Sequence, residues 1–332
     1  MKISTCPIGG VNMANETKMI AFGPVPSRRL GQSLGVNNIP AKICTYSCIY
    51  CQVGRTLQMR IKRKQFYNPE EILKDVERKV KEARARGEAI DYLTFVPDGE
   101  PTLDINLGKE IELLKGLGLK VAVISNASLI WKDDVRNDLN QSDWVSLKID
   151  AVSEDIWRRI DRAHGLLRLE KIFRGIKEFS KSYRGKLVTE TMLIRDFNDT
   201  AAELKRLADF IAEIEPEKSY LSIPTRPPAE SRVRPAGEHT INMAYQIFSE
   251  KSIDVEYLIG YEGNAFAFTG NVEEDLLSIT SVHPMRKDAV SELLSKANAD
   301  WDAIEKLITE GALIELKYGN NKFYMRKLPG LN

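Results

Sequence analysis

Three of the four cysteines in the chain fall within eight residues, in the run Cys44-Thr45-Tyr46-Ser47-Cys48-Ile49-Tyr50-Cys51. Thiolates spaced Cys-x3-Cys-x2-Cys on a short loop can converge on one metal centre, and three are one short of a closed tetrahedral zinc site. They suit a [4Fe–4S] cube that takes three irons by protein thiolate and leaves the fourth open to a small molecule, since such clusters are otherwise closed by a fourth cysteine. Three other readings compete. A disulfide framework is disfavoured by so few cysteines in 332 residues and by the lack of a signal-peptide pattern. Zinc would need Cys6, His164, His239 or His283, all distant in sequence. A buried strand of inert cysteines fits poorly with Thr45, Ser47 and Gln52 in the same loop.

Other polar residues stand where chemistry is possible. In Pro97-Asp98-Gly99-Glu100-Pro101-Thr102 the glycine allows close backbone approach to a ligand, and an acidic side chain or a carbonyl there can hold an ammonium group. The plainer alternative is a strand-to-helix turn. Ser125 and Asn126, then Lys148 and Asp150, can face a ligand or serve as helix caps and an internal lysine–aspartate pair. Glu190 alternates with Thr189 and Thr191 and so faces opposite to both; the sequence leaves open whether it looks into the molecule or out. Cations gather in Arg28 and Arg29, in Arg55, Arg60, Lys62, Arg63 and Lys64, and in Arg226, Arg232 and Arg234. A charge run is commonly a solvated face, yet separate runs at one mouth of a nearly neutral chain point to an anionic substrate. Glu190 and Arg226 are the candidate catalytic residues.

The elements that must position these residues alternate. Strand-like runs are expected at Ser33–Asn38, Ile90–Val96, Lys120–Asn126, Trp144–Ala151, Leu187–Ile194, Ser219–Pro224 and Val255–Gly260, with amphipathic helices between them. That is the pattern of a parallel α/β sheet covered on both faces. In the run Pro69 to Arg86, Asn68 and Pro69 give a helix start, and Ile72, Val76 and Val80 share one face. Ligands of such sheets sit at the carboxyl ends of the strands, where most of the residues above fall.

The form Cys-x3-Cys-x-aromatic-Cys, with Tyr50 as the aromatic, resembles the radical S-adenosylmethionine superfamily. The upstream Gly23-Pro24-Val25-Pro26-Ser27-Arg28-Arg29-Leu30-Gly31 is similar to the opening of an Fe–S oxidoreductase branch related to wybutosine-type tRNA-modifying enzymes. The resemblance spans about residues 20–265. It implies a partial (β/α)6 barrel, a [4Fe–4S] cluster on Cys44, Cys48 and Cys51, and S-adenosylmethionine at the open iron. It also implies an external one-electron reductant of ferredoxin or flavodoxin type and a 5′-deoxyadenosyl radical that takes hydrogen from a substrate. By the same resemblance Gly99 and Glu100 orient the methionine end, Tyr50 supports adenine, and Ser125, Asn126, Lys148 and Asp150 meet the carboxylate and ribose. Asp98 departs from the superfamily's Gly-Gly-Glu at its first position.

Composition bounds the rest. The net charge of +1 demands no nucleic-acid or membrane partner, and no apolar run approaches the length of a membrane span. Residues 1–19 read as a polar tail containing Cys6, with Met19 a possible start, and a cytoplasmic, reducing location is expected. Residues 271–328 change character: helices Asn271–Ser281, Arg286–Ala297 and Asp300–Gly311, then a hairpin of Ala312–Lys317 and Lys322–Lys327, resemble a winged helix-turn-helix joined through Gly263–Gly270. Its third helix is acidic, which argues against DNA reading. Its wing mixes Lys317, Tyr318, Lys322, Phe323, Tyr324, Arg326 and Lys327, a strip suited either to RNA or to cross-strand packing. His283-Pro284 is expected to mark a helix start. The rival to an enzyme acting on RNA or a nucleotide is a non-catalytic iron–sulfur regulator that binds nucleic acid through this tail.

Overall fold

Short apolar runs separated by amphipathic ones build one curled sheet with helices packed between successive strands. The computed structural model describes residues 20–260 and 263–327; the expected polar tail and Cys6 lie outside them. The eight strands lie in the order β1 (Ala21–Ser27), β2 (Gly31–Val36), β5 (Tyr92–Phe95), β6 (Lys120–Ser125), β7 (Trp144–Lys148), β8 (Lys186–Met192), β9 (Lys218–Ser222) and β10 (Val255–Leu258). The short strands β3 (Ile43–Cys44) and β4 (Gln58–Met59) pair parallel to each other outside that sheet. From β2 to β10 every pairing is parallel. Six helical crossovers join these strands: α1 (Pro69–Ala85), α2 (Leu107–Lys115), α3 (Asp133–Leu139), the pair α4 (Glu154–Ile160) and α5 (Leu169–Ser182), α6 (Ala201–Ile214) and α7 (Glu238–Ser249). The end strands do not pair with each other, so the sheet is the expected partial (β/α)6 barrel.

Helix α1 illustrates how sequence sets these elements. The Asn68 side chain accepts from the Glu70 amide, Pro69 occupies the first turn, and the buried face is Ile72, Val76 and Val80. These side chains join the outer strand face, Leu34, Leu93, Phe95, Val121, Val123 and Val145, in the main core. The opposite strand face carries Ala122, Trp144, Val188, Tyr220 and Leu258 in a smaller cluster, and above that cluster it turns polar. Strand β1 is absent from the expected strands, and Gly23, Pro24 and Pro26 are residue types that strands generally lack. It runs antiparallel to β2 at the sheet edge and is interrupted by a bulge between Phe22 and Val25, the places where proline is tolerated in sheets. A Cβ on Gly35 would stand 1.9 Å from the Phe22 ring, so the glycine is what lets β1 lie flat on β2.

The remaining residues form α8 (Val272–Val282), β11 (Met285–Arg286), α9 (Lys287–Lys296), α10 (Asp302–Thr309), β12 (Leu313–Tyr318) and β13 (Asn321–Arg326), the strands ordered β11-β13-β12. The expected helices and hairpin are present, with β11 as an additional strand. The segment 263–270 is not a slack linker. Phe266 is buried, the Ala267 amide donates to Pro24 O, and the Arg86 guanidinium sits 4.8 Å over the Phe268 ring. Wing aromatics Phe323 and Tyr324 are buried, and Tyr318 donates to Pro224 O, so the aromatic part of the strip is packing surface. Among the described residues no helix is long and apolar enough to cross a membrane.

Candidate active site

At the carboxyl ends of the parallel strands lies a cavity of about 350 Å³ lined by Cys44, Cys48, Cys51, Tyr50, Gly99, Glu100, Ser125, Asn126, Lys148, Glu190 and Arg226, among others. The cysteine loop that forms one wall is anchored on two sides. The Ser47 and Ile49 amides donate to Asp161 O and Ile160 O, while Lys42 O accepts from the Leu57 and Gln58 amides. The Asn126 amide group bonds Thr45 Oγ1 at 2.8 Å and reaches Cys44 Sγ at 3.6 Å. The Cys48 thiol donates to Asp161 Oδ1 at 3.2 Å.

The donor set fits an iron–sulfur cube. Burial pushes all three thiols up, Cys44 to about 12 with Glu100 adding to the effect. Buried thiols that resist ionisation are stabilised as thiolates by a bound cation, which inverts the local balance. Among the described residues no three His, Cys, Asp or Glu side chains close on a single ion. A cube places each thiolate on a different iron and needs a wider spread.

The turn after β5 is built around Glu100. Its carboxylate accepts from Thr102 N and Oγ1, Ser125 Oγ and the Asn126 amide, so it ties β5 to β6 and is fully engaged. Gly99 is required for contact: a Cβ there would stand 1.9 Å from Ile43 O, on the strand that leads into Cys44. Ser125 and Asn126 thus serve both as cavity wall and as members of this network.

Register resolves Glu190. It is paired with Lys148 across β7 and β8 and shares the inner face with Val188, while Thr189 and Thr191 bond Ser219 Oγ and Ile149 O on the other face. Glu190 is ion-paired with Arg29 and lies 3.2 Å from Lys148 Nζ, with Ser222 Oγ at 3.1 Å. Burial works against its charge, yet Arg29 and Lys148 hold its pKa down at about 2. Lys148 therefore pairs with Glu190, and its Nζ also stands 4.9 Å over the Tyr50 ring. Asp150 is set back behind Tyr50; it accepts from the Tyr50 hydroxyl and the Met192 amide and lines a separate small recess.

The cationic runs divide. Arg28, Arg29 and Arg226 reach the cavity. Arg63 is instead a buried strut that bonds Thr102 O, Asp104 O, Asp134 and Asp138, a correction to its expected place at the mouth. Arg55 pairs with Glu230, and Arg232 covers the Phe197 ring, both away from the lining. Helical and strand geometry sends neighbours in sequence to different faces, which a charge run does not reveal.

Three further residues, His283, Lys42 and Asp98, also line the cavity. His283 ends α8 rather than starting a helix; because arginine only donates, its Nε2 accepts from Arg226 at 2.7 Å, while Arg226 Nη1 meets Gln52 Oε1 at 3.1 Å. Lys42 adopts a positive φ of 65° and buries Nζ without a hydrogen-bond partner; Asp98 likewise leaves Oδ1 unmatched in the same cavity. Burial raises Asp98 to about 7 against the pull of Lys42 and Arg326. Unmatched buried polar atoms facing a cavity are the kind a ligand completes. The separation of 57 positions between Arg226 and His283 is why no local pattern announces their pairing.

Comparison with known proteins agrees with this geometry. The profile of the Radical SAM superfamily matches residues 38–211. A UPF0026 protein of Methanocaldococcus jannaschii is 50% identical over 311 residues, 93% of this chain and 96% of that one. An S-adenosylmethionine-dependent nucleotide dehydratase of Flammeovirga pacifica is 25% identical over 248 residues, 71% of this chain and 76% of that one. Among solved structures, TYW1 with a lysine-pyruvate adduct bound superposes with a TM-score of 0.51 at 18% identity, over 66% of this chain and 73% of that one, a likeness of fold.

Proposed function

The chain belongs to the radical S-adenosylmethionine superfamily, whose enzymes use a [4Fe–4S] cluster and S-adenosylmethionine, and from that premise we propose that Cys44, Cys48 and Cys51 hold the cluster and that the adjoining cavity takes a compact anionic substrate of the nucleotide class. When bound, cluster and cosubstrate supply a 5′-deoxyadenosyl radical that removes a hydrogen atom from the substrate. The protein's own task is to bind, orient and exclude water. The turn at Gly99 and Glu100, with Ser125 and Asn126, forms the wall for the cosubstrate beside the cysteine loop, and Tyr50 and Lys148 continue that wall. Glu190 stays a carboxylate and fixes Arg29 and Lys148 in place, so its role is positioning rather than proton donation. Arg226, oriented by Gln52 and His283, serves the substrate's anionic group.

One observation carries this reading. The cavity that contains all three cysteines is lined by Arg28, Arg29, Lys42, Lys148 and Arg226 against Asp98, Glu100 and Glu190, a cationic excess in a chain of net charge +1. Its size is within the range of small-ligand sites, about 300–1,000 Å³. The wall contributed by Val282 and His283 and the buried wing aromatics favour a compact ligand over a polymer. The similarity to a nucleotide dehydratase supports the same class.

The test is anaerobic reconstitution followed by assay of 5′-deoxyadenosine release with nucleotide pools and with RNA. Release that rises with a nucleotide, and is lost together with bound iron in Cys44→Ala, Cys48→Ala and Cys51→Ala, is the expected result. Release stimulated by RNA alone would reject the nucleotide class, and undiminished release by a cysteine variant would reject the cluster assignment.

A further inference from the structure

The cysteine loop has a second face, turned away from the cavity. Cys44 pairs with Met59 through the short β3–β4 ladder, and Cys44 O accepts from the Arg60 amide. Strand β4 is exposed and lies outside the cavity lining, with Leu57 57% and Met59 36% accessible. The chain continues from it to Lys64, whose carbonyl accepts from the amide of Ile105, itself 54% accessible. Leu57 and Met59, two of the eight large exposed hydrophobic side chains among the described residues, therefore lie on one short segment, and a third, Ile105, adjoins its far end at Lys64. Lys62 and Lys64 are exposed beside them, Arg60 is half-buried, and no acidic residue occurs from Gly54 to Asn68.

We propose that this face, Leu57, Met59 and Ile105 framed by Arg60, Lys62 and Lys64, is the docking surface for an acidic protein that carries a one-electron redox centre. The proposal rests on the reading of Cys44 as a ligand of the iron–sulfur group. A basic rim speeds encounter with an acidic partner, and an apolar centre holds it. Adjacent strands lie about 4.8 Å apart, so a partner seated on β4 is separated from Cys44 by a single strand. The partner loses one electron, the iron–sulfur group gains it, and no atom or proton changes owner. Electrons enter from behind the loop while substrate occupies the cavity in front, so neither blocks the other. The exposed groups at the centre are aliphatic, which favours a protein over a nucleic acid, whose bases bind by stacking on aromatic rings.

The test reads reduction of the iron–sulfur group itself, by bleaching of its visible absorbance, with photoreduced flavodoxin as the acidic donor and dithionite as the small one. Substrate and cosubstrate are omitted, so failure of the proposed enzymatic function leaves the readout intact. In Lys62→Glu/Lys64→Glu the flavodoxin-driven rate should fall about tenfold or more while the dithionite-driven rate is unchanged. The wild-type flavodoxin rate should decline as salt rises. Leu57→Ser, which keeps every charge, should weaken flavodoxin binding without altering iron content. A charge-reversed variant within about twofold of wild type would overturn the proposal. So would equal slowing with dithionite, which would make the segment a support of the loop. Loss of RNA binding with an unchanged flavodoxin rate would assign the face to nucleic acid and overturn it equally.

Discussion

Glu190 sits between two cations, Arg29 and Lys148, on the inner face of β8, and that position decides what it can do. A carboxylate held at about 2, against its ordinary 4.5, contributes stability that is fully present above pH 4.5 and is lost as pH falls through about 2. Each tenfold in proton affinity is worth about 1.4 kcal/mol, which puts the contribution on the order of 3 kcal/mol. Glu190→Gln keeps the shape and removes the charge, leaving two half-buried cations to face each other. The urea midpoint of the variant should lie below that of wild type at neutral pH, and the gap should begin to close as pH drops below 4.5. A gap that holds constant through the acid range would show that the ion triad contributes nothing. At this scale the sequence is legible only where chemistry is local. The cysteines announce themselves because their ligand set lies in one loop. Glu190 does not, because both faces of β8 are covered, and periodicity separates the faces without saying which one looks inward.

Among the elements, the β5 turn is pressed closely against the strand entering the cysteine loop. Lys42 N donates to Asp98 O and Glu100 N to Ile43 O, and Gly99 is pressed against Ile43 O between them. In Gly99→Ala the new methyl group must displace backbone, since its nearest neighbour is a carbonyl rather than the end of a flexible side chain. Overpacking of this kind costs about 1–3 kcal/mol, and here the strain falls on the loop that carries the cysteines. Iron retained after reconstitution and affinity for S-adenosylmethionine by calorimetry should both drop, with a lower urea midpoint. Wild-type values in both binding measurements would mean that the turn merely abuts the loop. The seven parallel strands were readable from their apolar runs, with ends drawn too long where the chain leaves the ladder to form cavity walls. Strand β1 was hidden by its prolines, which edge position and the bulge make acceptable.

Across the whole molecule, the segment after β10 is welded to the barrel. Phe22 and Val25 of β1 share a core with Leu276, Ile279, Leu293 and Phe266, so neither part closes its apolar surface alone. Lys79 of α1 and Asp275 of α8 form a salt bridge at 3.0 Å with both side chains 1% exposed, completed by Thr269. Removing one partner of a buried pair strands the other and costs about 3–5 kcal/mol. Lys79→Met should therefore lower the thermal midpoint markedly, and adding Asp275→Leu should lower it further, because Asp275 also accepts from the amide and the hydroxyl of buried Thr269. Because the apolar core between the two parts survives in these variants, each should still unfold in one step, with calorimetric and van't Hoff enthalpies in agreement for protein kept free of iron throughout. Two resolved transitions in the wild type would show a separable tail. One transition means that the tail and the barrel share a single cooperative core, so the wall built by Val282 and His283 belongs to the folded barrel and not to a separable domain.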